Sequence, residues 1–345
     1  MNPGLQNKFN NFPPAPGDSN TCAAAARMQG RRAEPAKDMT TAFITHPAFL
    51  KHDMGSHHPE QPARLTAIED QLIASGVAPL LSRYEAPQAA LTAIGRVHPM
   101  DYIVDIRSAA PQAGIVHIDP DTAMCPGTWE ALLRAAGAAV QATDLVMSGE
   151  VDNAFCSVRP PGHHAMRKRA MGFCFFNNVA IAAQHALDVH GLERVAIVDF
   201  DVHHGNGTED IFAGDERVLM ASIFQHPFYP YSGTDRPAAN MVNVPLPAGA
   251  GSVALREAVT QAWLPALEAF RPQMIFFSAG FDAHIEDDMA MLRMTDADYA
   301  WVTKQVKAVA ERHAKGRIVS VLEGGYALSA LGRSVVQHIK ALGDI

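Results

Sequence analysis

Val195-Ala-Ile-Val-Asp199-Phe-Asp201-Val-His203-His204-Gly205-Asn206-Gly207 is the stretch that decides how this chain folds and where its chemistry lies. Four apolar residues follow one another without polar alternation, the pattern of a strand buried on both faces. The run then meets Asp199, Asp201 and His203 at spacing i, i+2, i+4. If the strand continues through Asp201, all three side chains project to one face. Two carboxylates and an imidazole on a buried face are costly unless they hold a cation or pair with other charges. Taken alone, the stretch reads either as a metal chelate or as a satisfied polar network at a strand end.

Runs of the same kind recur over residues 42–45, 154–158, 218–224, 274–279 and 318–322. Ala-rich helical patterns separate them, over 62–75, 126–148, 177–190, 253–270, 296–314 and 330–342. This alternation predicts one α/β domain over residues 41–345, an open, mostly parallel sheet with helices on both faces. Residues 1–40 are rich in Asn, Pro, Gly and Ala, with a small basic cluster and no apolar period, and are predicted to form a mobile N-terminal extension.

Composition narrows the function. Hydrophobic residues make up 48% and charged residues 19% of 345, a globular balance. The net charge of −8 offers no concentrated cationic surface for nucleic acid or an anionic membrane. Cys22, Cys125, Cys156 and Cys174 are scattered without CxxC or disulfide-like spacing, which predicts free thiols in a reducing compartment. No run reaches the roughly 20 apolar residues of a membrane span, and the N-terminus lacks a secretory apolar segment. A soluble cytoplasmic protein is expected, and a homo-oligomer is left open.

In open α/β sheets, ligands bind at the carboxyl ends of strands. Three further stretches place polar groups there. Phe276-Phe-Ser-Ala-Gly280-Phe-Asp282-Ala-His284 brings an acidic residue after a glycine; alone it is as much a helix cap as a third metal ligand. Arg159-Pro-Pro-Gly162-His163-His164 holds two imidazoles on a non-helical turn, suited to general base and electrostatic partner. Asp199 and Asn206 are available to orient them. Val321-Leu-Glu323-Gly-Gly-Tyr326 places a phenol where it could donate to an oxyanion, though the turn itself is a common one.

Together with His58-Pro-Glu-Gln-Pro-Ala-Arg64, Val97-His98-Pro-Met-Asp-Tyr102 and Gly172-Phe-Cys-Phe-Phe-Asn-Asn178, these stretches follow the order found in the histone deacetylase family, which the chain resembles from about Ala42 to Leu342. It looks most like the class II branch and its bacterial relatives. The resemblance implies a zinc-dependent deacetylase that removes acetyl or related acyl groups from lysine ε-amines by metal-assisted attack of water. Asp201, His203 and Asp282 match the zinc ligands. His164 matches the general base and His163 its electrostatic partner and proton donor, with Asp199 orienting His163. Asn206 stands where the class I branch has Asp, and Tyr326 matches the tyrosine that polarises the substrate carbonyl. Gly172, Phe173 and Tyr229 match the walls of the acyl-lysine tunnel, Tyr229 replacing a more usual Phe. Met289 aligns with the rim gatekeeper, and Arg64 with an arginine lining an acetate exit channel. A structural potassium ion is implied at Asp199, Asp201, His203, Ser222 and Ile223, and a second near Phe212 and Val218. The two-carboxylate ligand set would also suit Fe(II).

Three alternatives remain beside this one. An acetylpolyamine amidohydrolase of the same family would take a small cationic acyl amine; apolar Met289 speaks for acyl-lysine, but Glu286, Asp287 and Asp288 lie close to the rim. A two-metal ureohydrolase would need a carboxylate where Gly205 stands. A catalytically dead binding module would lack a catalytic residue, and none is missing. Asp119 and Asp121 are candidates for holding the substrate backbone. His185, His190, His313 and His338 are read as ordinary surface or core residues on helices and His284 as a solvated loop side chain.

Overall fold

The structure, a computed structural model, describes residues 39–345. The predicted mobile extension, apart from residues 39 and 40, lies outside the described residues. The strands are β1 (Thr41–Thr45), β2 (Ser82–Glu85), β3 (Val116–Asp119), β4 (Thr122–Met124), β5 (Asn153–Cys156), β6 (Val195–Asp199), β7 (Val218–Gln225), β8 (Met241–Leu246), β9 (Met274–Ala279) and β10 (Ile318–Leu322). The helices are α1 (Ala63–Ala74), α2 (Leu91–Ile94), α3 (Met100–Ala109), α4 (Thr128–Ser148), α5 (Asn178–Asp188), α6 (Asn206–Phe212), α7 (Ser252–Ala258), α8 (Leu264–Phe270), α9 (Asp296–His313) and α10 (Leu328–Gly343).

Eight strands form one sheet in the order β2-β1-β5-β10-β9-β6-β7-β8, every neighbouring pair parallel. Strands β3 and β4 pair separately as an antiparallel hairpin. The interior strands β5, β6, β7, β9 and β10 are buried at every position, which is why their sequences carry no polar alternation. Successive residues of β5 show that both faces are covered. Phe155 packs edge-on against the ring of His338 in α10, while the thiol of Cys156 meets the Ala138 carbonyl in α4. Helices α4 and α5 pack on each other on one side; α1, α10 and α9 pack in succession on the other.

The single helix expected over 253–270 is divided. Helix α7 passes through a π-turn, Val259–Trp263, into α8. Pro265, second in α8, has no N–H to donate back into the ladder, and the wider turn absorbs the missing bond. The edge strands β2 and β8 escape a search for apolar runs: β2 reads Ser-Arg-Tyr-Glu with half-buried alternation, and β8 contains Asn243 and Pro245. Among the described residues no helix is long and apolar enough to cross a membrane. Cys125, Cys156 and Cys174 are free and buried.

His338, an ordinary surface or core residue on a helix by its sequence, is a core one, fully buried between Thr303 Oγ1 at 2.6 Å and Ser320 Oγ at 2.8 Å. Burial pushes its pKa down to about 3, so the folded state keeps the ring neutral where the unfolded chain would protonate it. The contribution is complete above the unfolded value of 6.5 and is lost as the pH falls from there towards 3. Between pH 7.5 and 5, wild type is expected to lose about 2 kcal/mol more stability than His338→Leu. Denaturant midpoints of the two proteins at both pH values check this.

Candidate active site

Four loops leave the carboxyl ends of four adjacent strands, β5, β10, β9 and β6, and each carries one of the polar groups singled out above. The continued strand expected through Asp201 is not formed. Strand β6 ends at Asp199, and Asp201 and His203 occupy the bends beyond it. The carboxylates themselves turn the chain: Asp199 Oδ1 accepts the Asp201 N–H at 3.1 Å, and Asp201 Oδ1 accepts the His203 N–H at 2.9 Å. Such local side-chain-to-backbone bonds compete with the strand ladder.

Asp201, His203 and Asp282 are buried, and their ligand atoms all lie within 4.8 Å of one another. His203 Nδ1 is 3.0 Å from Asp201 Oδ1 and 3.3 Å from Asp282 Oδ2. Asp282 Oδ1 accepts the Val202 N–H at 3.0 Å, whereas its buried Oδ2 accepts no hydrogen bond. Burial and the neighbouring Asp201 push the Asp282 carboxyl up to about 6. An orphaned oxygen beside a second carboxylate and an imidazole fits a divalent cation with three protein ligands and an open position. Gly324 makes room for this convergence. Its N–H donates to Asp201 Oδ2 at 2.9 Å, and a Cβ on it would stand 2.1 Å from Asp282 Oδ2.

The tandem histidines lie against this cluster with ring centroids 4.1 Å apart. His163 Nδ1 meets Asp199 Oδ2 at 3.0 Å. Burial disfavours its charge, but the Asp201 and Asp199 carboxylates outweigh that and raise its pKa to about 10. His164 goes the other way: burial first, then the neighbouring His163 and His203, hold it well below its ordinary value. Asn206 Nδ2 faces Met171 Sδ at 3.4 Å, so its Oδ1 accepts from His164 Nδ1 at 2.7 Å. That contact fixes the tautomer and leaves the Nε2 lone pair free. Burial keeps the Tyr326 phenol well above its ordinary pKa, against the pull of Arg64, so it stays a donor.

These groups share a cavity of ≈ 270 Å³ with Gly172, Phe173, Tyr229 and Met289. Phe173 stands edge-on to Tyr326 and Tyr229 edge-on to His164, with ring centroids at 5.9 and 5.3 Å. Of the two rim aspartates, Asp121 lines the cavity and accepts the Gly172 N–H at 3.1 Å, while Asp119 pairs with Arg169 at 3.6 Å. The acidic run beyond Asp282 divides: Glu286 pairs with Arg333 at 2.7 Å, Asp288 is exposed, and Asp287 is buried.

A sequence signature described as the histone deacetylase domain matches residues 58–342. The chain belongs to the histone deacetylase family. It is 42% identical over 329 residues to a histone deacetylase-like amidohydrolase of Pseudomonas aeruginosa, covering 88% of this chain and 86% of that one. It is 38% identical over 298 residues to a probable deacetylase of Archaeoglobus fulgidus, covering 84% and 82%. The crystal structure of the HDA15 HD domain matches it with a TM-score of 0.83 at 33% identity, covering 89% of this chain and 90% of that one.

Other expected positions of this deacetylase-family chain fall as follows. Arg64 is fully buried behind Tyr326, its guanidinium 4.9 Å from the ring centre, and donates to the carbonyls of Gly325 at 2.7 Å and of Glu323. Asp199 and Ser222 are register partners on β6 and β7, and Ser222 Oγ donates to the Ile223 carbonyl at 3.4 Å. Near Phe212 and Val218, the carbonyls of Phe212, Asp215 and Val218 converge on Asn240 Nδ2 at 2.8, 3.1 and 2.9 Å. His284 is buried, not solvated, because its Nε2 reaches Asp296 at 3.2 Å and its Nδ1 accepts the Glu286 N–H. His185 and His190 share Asp144 Oδ1 at 2.7 Å each, with Arg96 donating to His185 Nδ1, a group satisfied by its own hydrogen bonds.

The supporting contacts of several residues were not read from the sequence. Buried Glu60 lies between the guanidiniums of Arg159 and Arg64. Its position four residues before Arg64 was the available signal. Glu323 Oε2 accepts the N–H groups of Gly162 and His163 at 2.6 and 3.0 Å, tying the histidine turn to β10. Phe228 stacks on His203 at 5.6 Å. Asp287 Oδ2 accepts the N–H groups of Tyr326 and Ala327 at 2.6 and 2.9 Å, and its Oδ1 that of Met289 at 3.1 Å. It therefore sets the backbone of two cavity residues. Asp287→Ala should retain bound metal while kcat falls about 10–100-fold, the usual effect of losing such a support; steady-state kinetics beside metal analysis measure both.

Proposed function

We propose that the chain hydrolyses acetyl, or a related short acyl group, from the ε-amine of lysine in peptides or proteins, with zinc held by Asp201, His203 and Asp282. The observation that carries this is the cavity itself. Two aromatic walls, Phe173 and Tyr229, lead to a phenol and two imidazoles beside an unpartnered carboxylate oxygen. That shape suits an aminoalkyl chain ending in an amide. When bound, zinc supplies a Lewis acid that polarises the carbonyl and acidifies water; Fe(II) would serve the same ligands.

The chain's own groups do the rest. Neutral His164 takes a proton from the attacking water at its free Nε2, its Nδ1–H anchored on Asn206. As the carbonyl carbon becomes tetrahedral, the Tyr326 hydroxyl donates to the developing oxyanion. Protonated His163, held by Asp199, supplies a proton at Nε2 to the leaving amine, the C–N bond breaks, and the acid departs. Gly172 and Phe173 are fixed through Asp121 and Thr122, which keeps the wall in register with the reacting groups.

Asn206 beside His164 supports placing the chain with the class II branch. The shared register of Asp199 and Ser222 supports a structural potassium ion at Asp199, Asp201, His203, Ser222 and Ile223. Arg64 would steer acetate from behind Tyr326. The acetylpolyamine reading loses its acidic gatekeeper to the backbone of Tyr326, since Asp287 faces inward and Met289 lines the cavity. Parallel assays on an acetyl-lysine peptide and an acetylpolyamine should show preference for the peptide; the reverse preference would assign the smaller substrate. Tyr326→Phe should keep its zinc and lose about 10²–10³-fold in kcat, the scale of one oxyanion donor, and an undiminished rate would refute the scheme.

A further inference from the structure

His204 follows the ligand His203 directly, yet it points away from the cavity and has no part in the chemistry above. It is 2% exposed. Its Nε2 meets Glu209 Oε2 in α6 at 2.9 Å and its Nδ1 meets Ser232 Oγ at 2.8 Å. Asn243 of the edge strand β8 donates from Nδ2 to the same Glu209 oxygen at 2.7 Å and to the Gly233 carbonyl at 3.0 Å. Burial alone would raise the Glu209 carboxyl, but the hydrogen bonds from His204 and Asn243 bring it below its ordinary value. A carboxylate only accepts, so His204 Nε2 carries a hydrogen. Gly233 lies so close over the imidazole, at φ +88°, that a Cβ there would stand 2.6 Å from the ring.

Ser232 and Gly233 belong to the loop between β7 and β8 that presents Phe228 to His203 and Tyr229 to both His164 and His203. Among the described residues, the hydrogen bonds leaving residues 227–234 are the two at Ser232 and Gly233. On the cavity side Phe228 and Tyr229 also pack on the histidine rings. Behind the loop, Pro230 and Ser232 border an open cavity of ≈ 430 Å³ that also reaches His204, Asn206 and Glu209. The polar tethers of the loop that forms one wall of the cavity are therefore the two at Ser232 and Gly233.

We propose that Ser232, His204, Glu209 and Asn243 form a positioning unit that fixes the Phe228–Tyr229 wall for substrate binding, a role resting on the lysine-deacylase reading above. These residues act through the wall and do not touch the reacting atoms. Because Glu209 and Asn206 lie on the same short helix, the unit holds the wall and the partner of His164 in one frame.

Ser232→Ala removes one tether and leaves His204 and every metal ligand in place; Ser232→Thr restores the hydroxyl. In full-length protein, Ser232→Ala should raise deuterium uptake across residues 226–234 and raise KM for an acetyl-lysine peptide about fivefold, the scale of one lost hydrogen bond. Its kcat should stay within about twofold and its zinc per chain should not change. Ser232→Thr should return uptake and KM towards wild type. Unchanged uptake in Ser232→Ala would overturn the proposal, as would a fall in kcat accompanied by zinc loss. Absence of turnover in wild type would count against the deacylase reading, while the exchange measurement would still decide whether the wall is held this way.

Discussion

Asp199, Asp201, Asp282 and Glu323 are all buried at the carboxyl ends of the neighbouring strands β6, β9 and β10, and keeping these like charges together is the constraint on which the rest depends. Burying unpaired carboxylates is prohibitive. Each here has specific compensation. Asp199 faces His163, Asp201 faces His203 and two backbone N–H groups, and Glu323 takes the N–H groups of the histidine turn. Asp282 alone keeps an oxygen without a partner, and burial and Asp201 push its carboxyl up. The deficit is local, and it lies where three ligand atoms converge.

The same pressure divides the tandem histidines. Side by side in one buried pocket, two imidazoles cannot both be charged. His163 faces two carboxylates and takes the proton; His164 faces an amide oxygen and two other imidazoles and stays neutral. An aspartate in place of Asn206 would draw charge towards His164 and weaken that division. The carboxylates beside His163 and the amide oxygen beside His164 thus give the two rings different environments.

Much of this was legible in the chain. Interior strands announce themselves as unbroken apolar runs, and residues such as Asp201, Asp282, His163 and Tyr326 mark where those runs stop. What the sequence hides is where side chains turn once the strands end. The spacing of Asp199, Asp201 and His203 suggests one face of a longer strand; the Asp carboxylates instead capture nearby N–H groups and bend the chain. Asp287 looks like one of three rim acids, but only the return of β10 beside β9 brings the Tyr326 backbone within its reach. Glu60 and Arg159 are 99 residues apart in sequence, and no local pattern links them. The edge strands β2 and β8 are invisible for a different reason: with one side unpaired they are free to be polar or to carry proline.

The two kinds of site residue differ in what holds them. The chemical groups hang from the most deeply paired strands, and their loops are braced by buried charge: Glu323 on the histidine turn, Asp287 on Tyr326, and Glu60 on Arg159 and Arg64. The cavity wall at Phe228 and Tyr229 comes instead from a loop next to an edge strand, with an open cavity behind it and two polar tethers to the rest. Change at this edge can be confined to the wall as long as Glu209 and Asn206 in α6 keep their places. Change in the central loops cannot be so confined, because each buried carboxylate there answers to more than one neighbour. Tyr229 belongs to the edge loop, yet it stands edge-on to both His164 and His203, so the wall and the buried rings meet there.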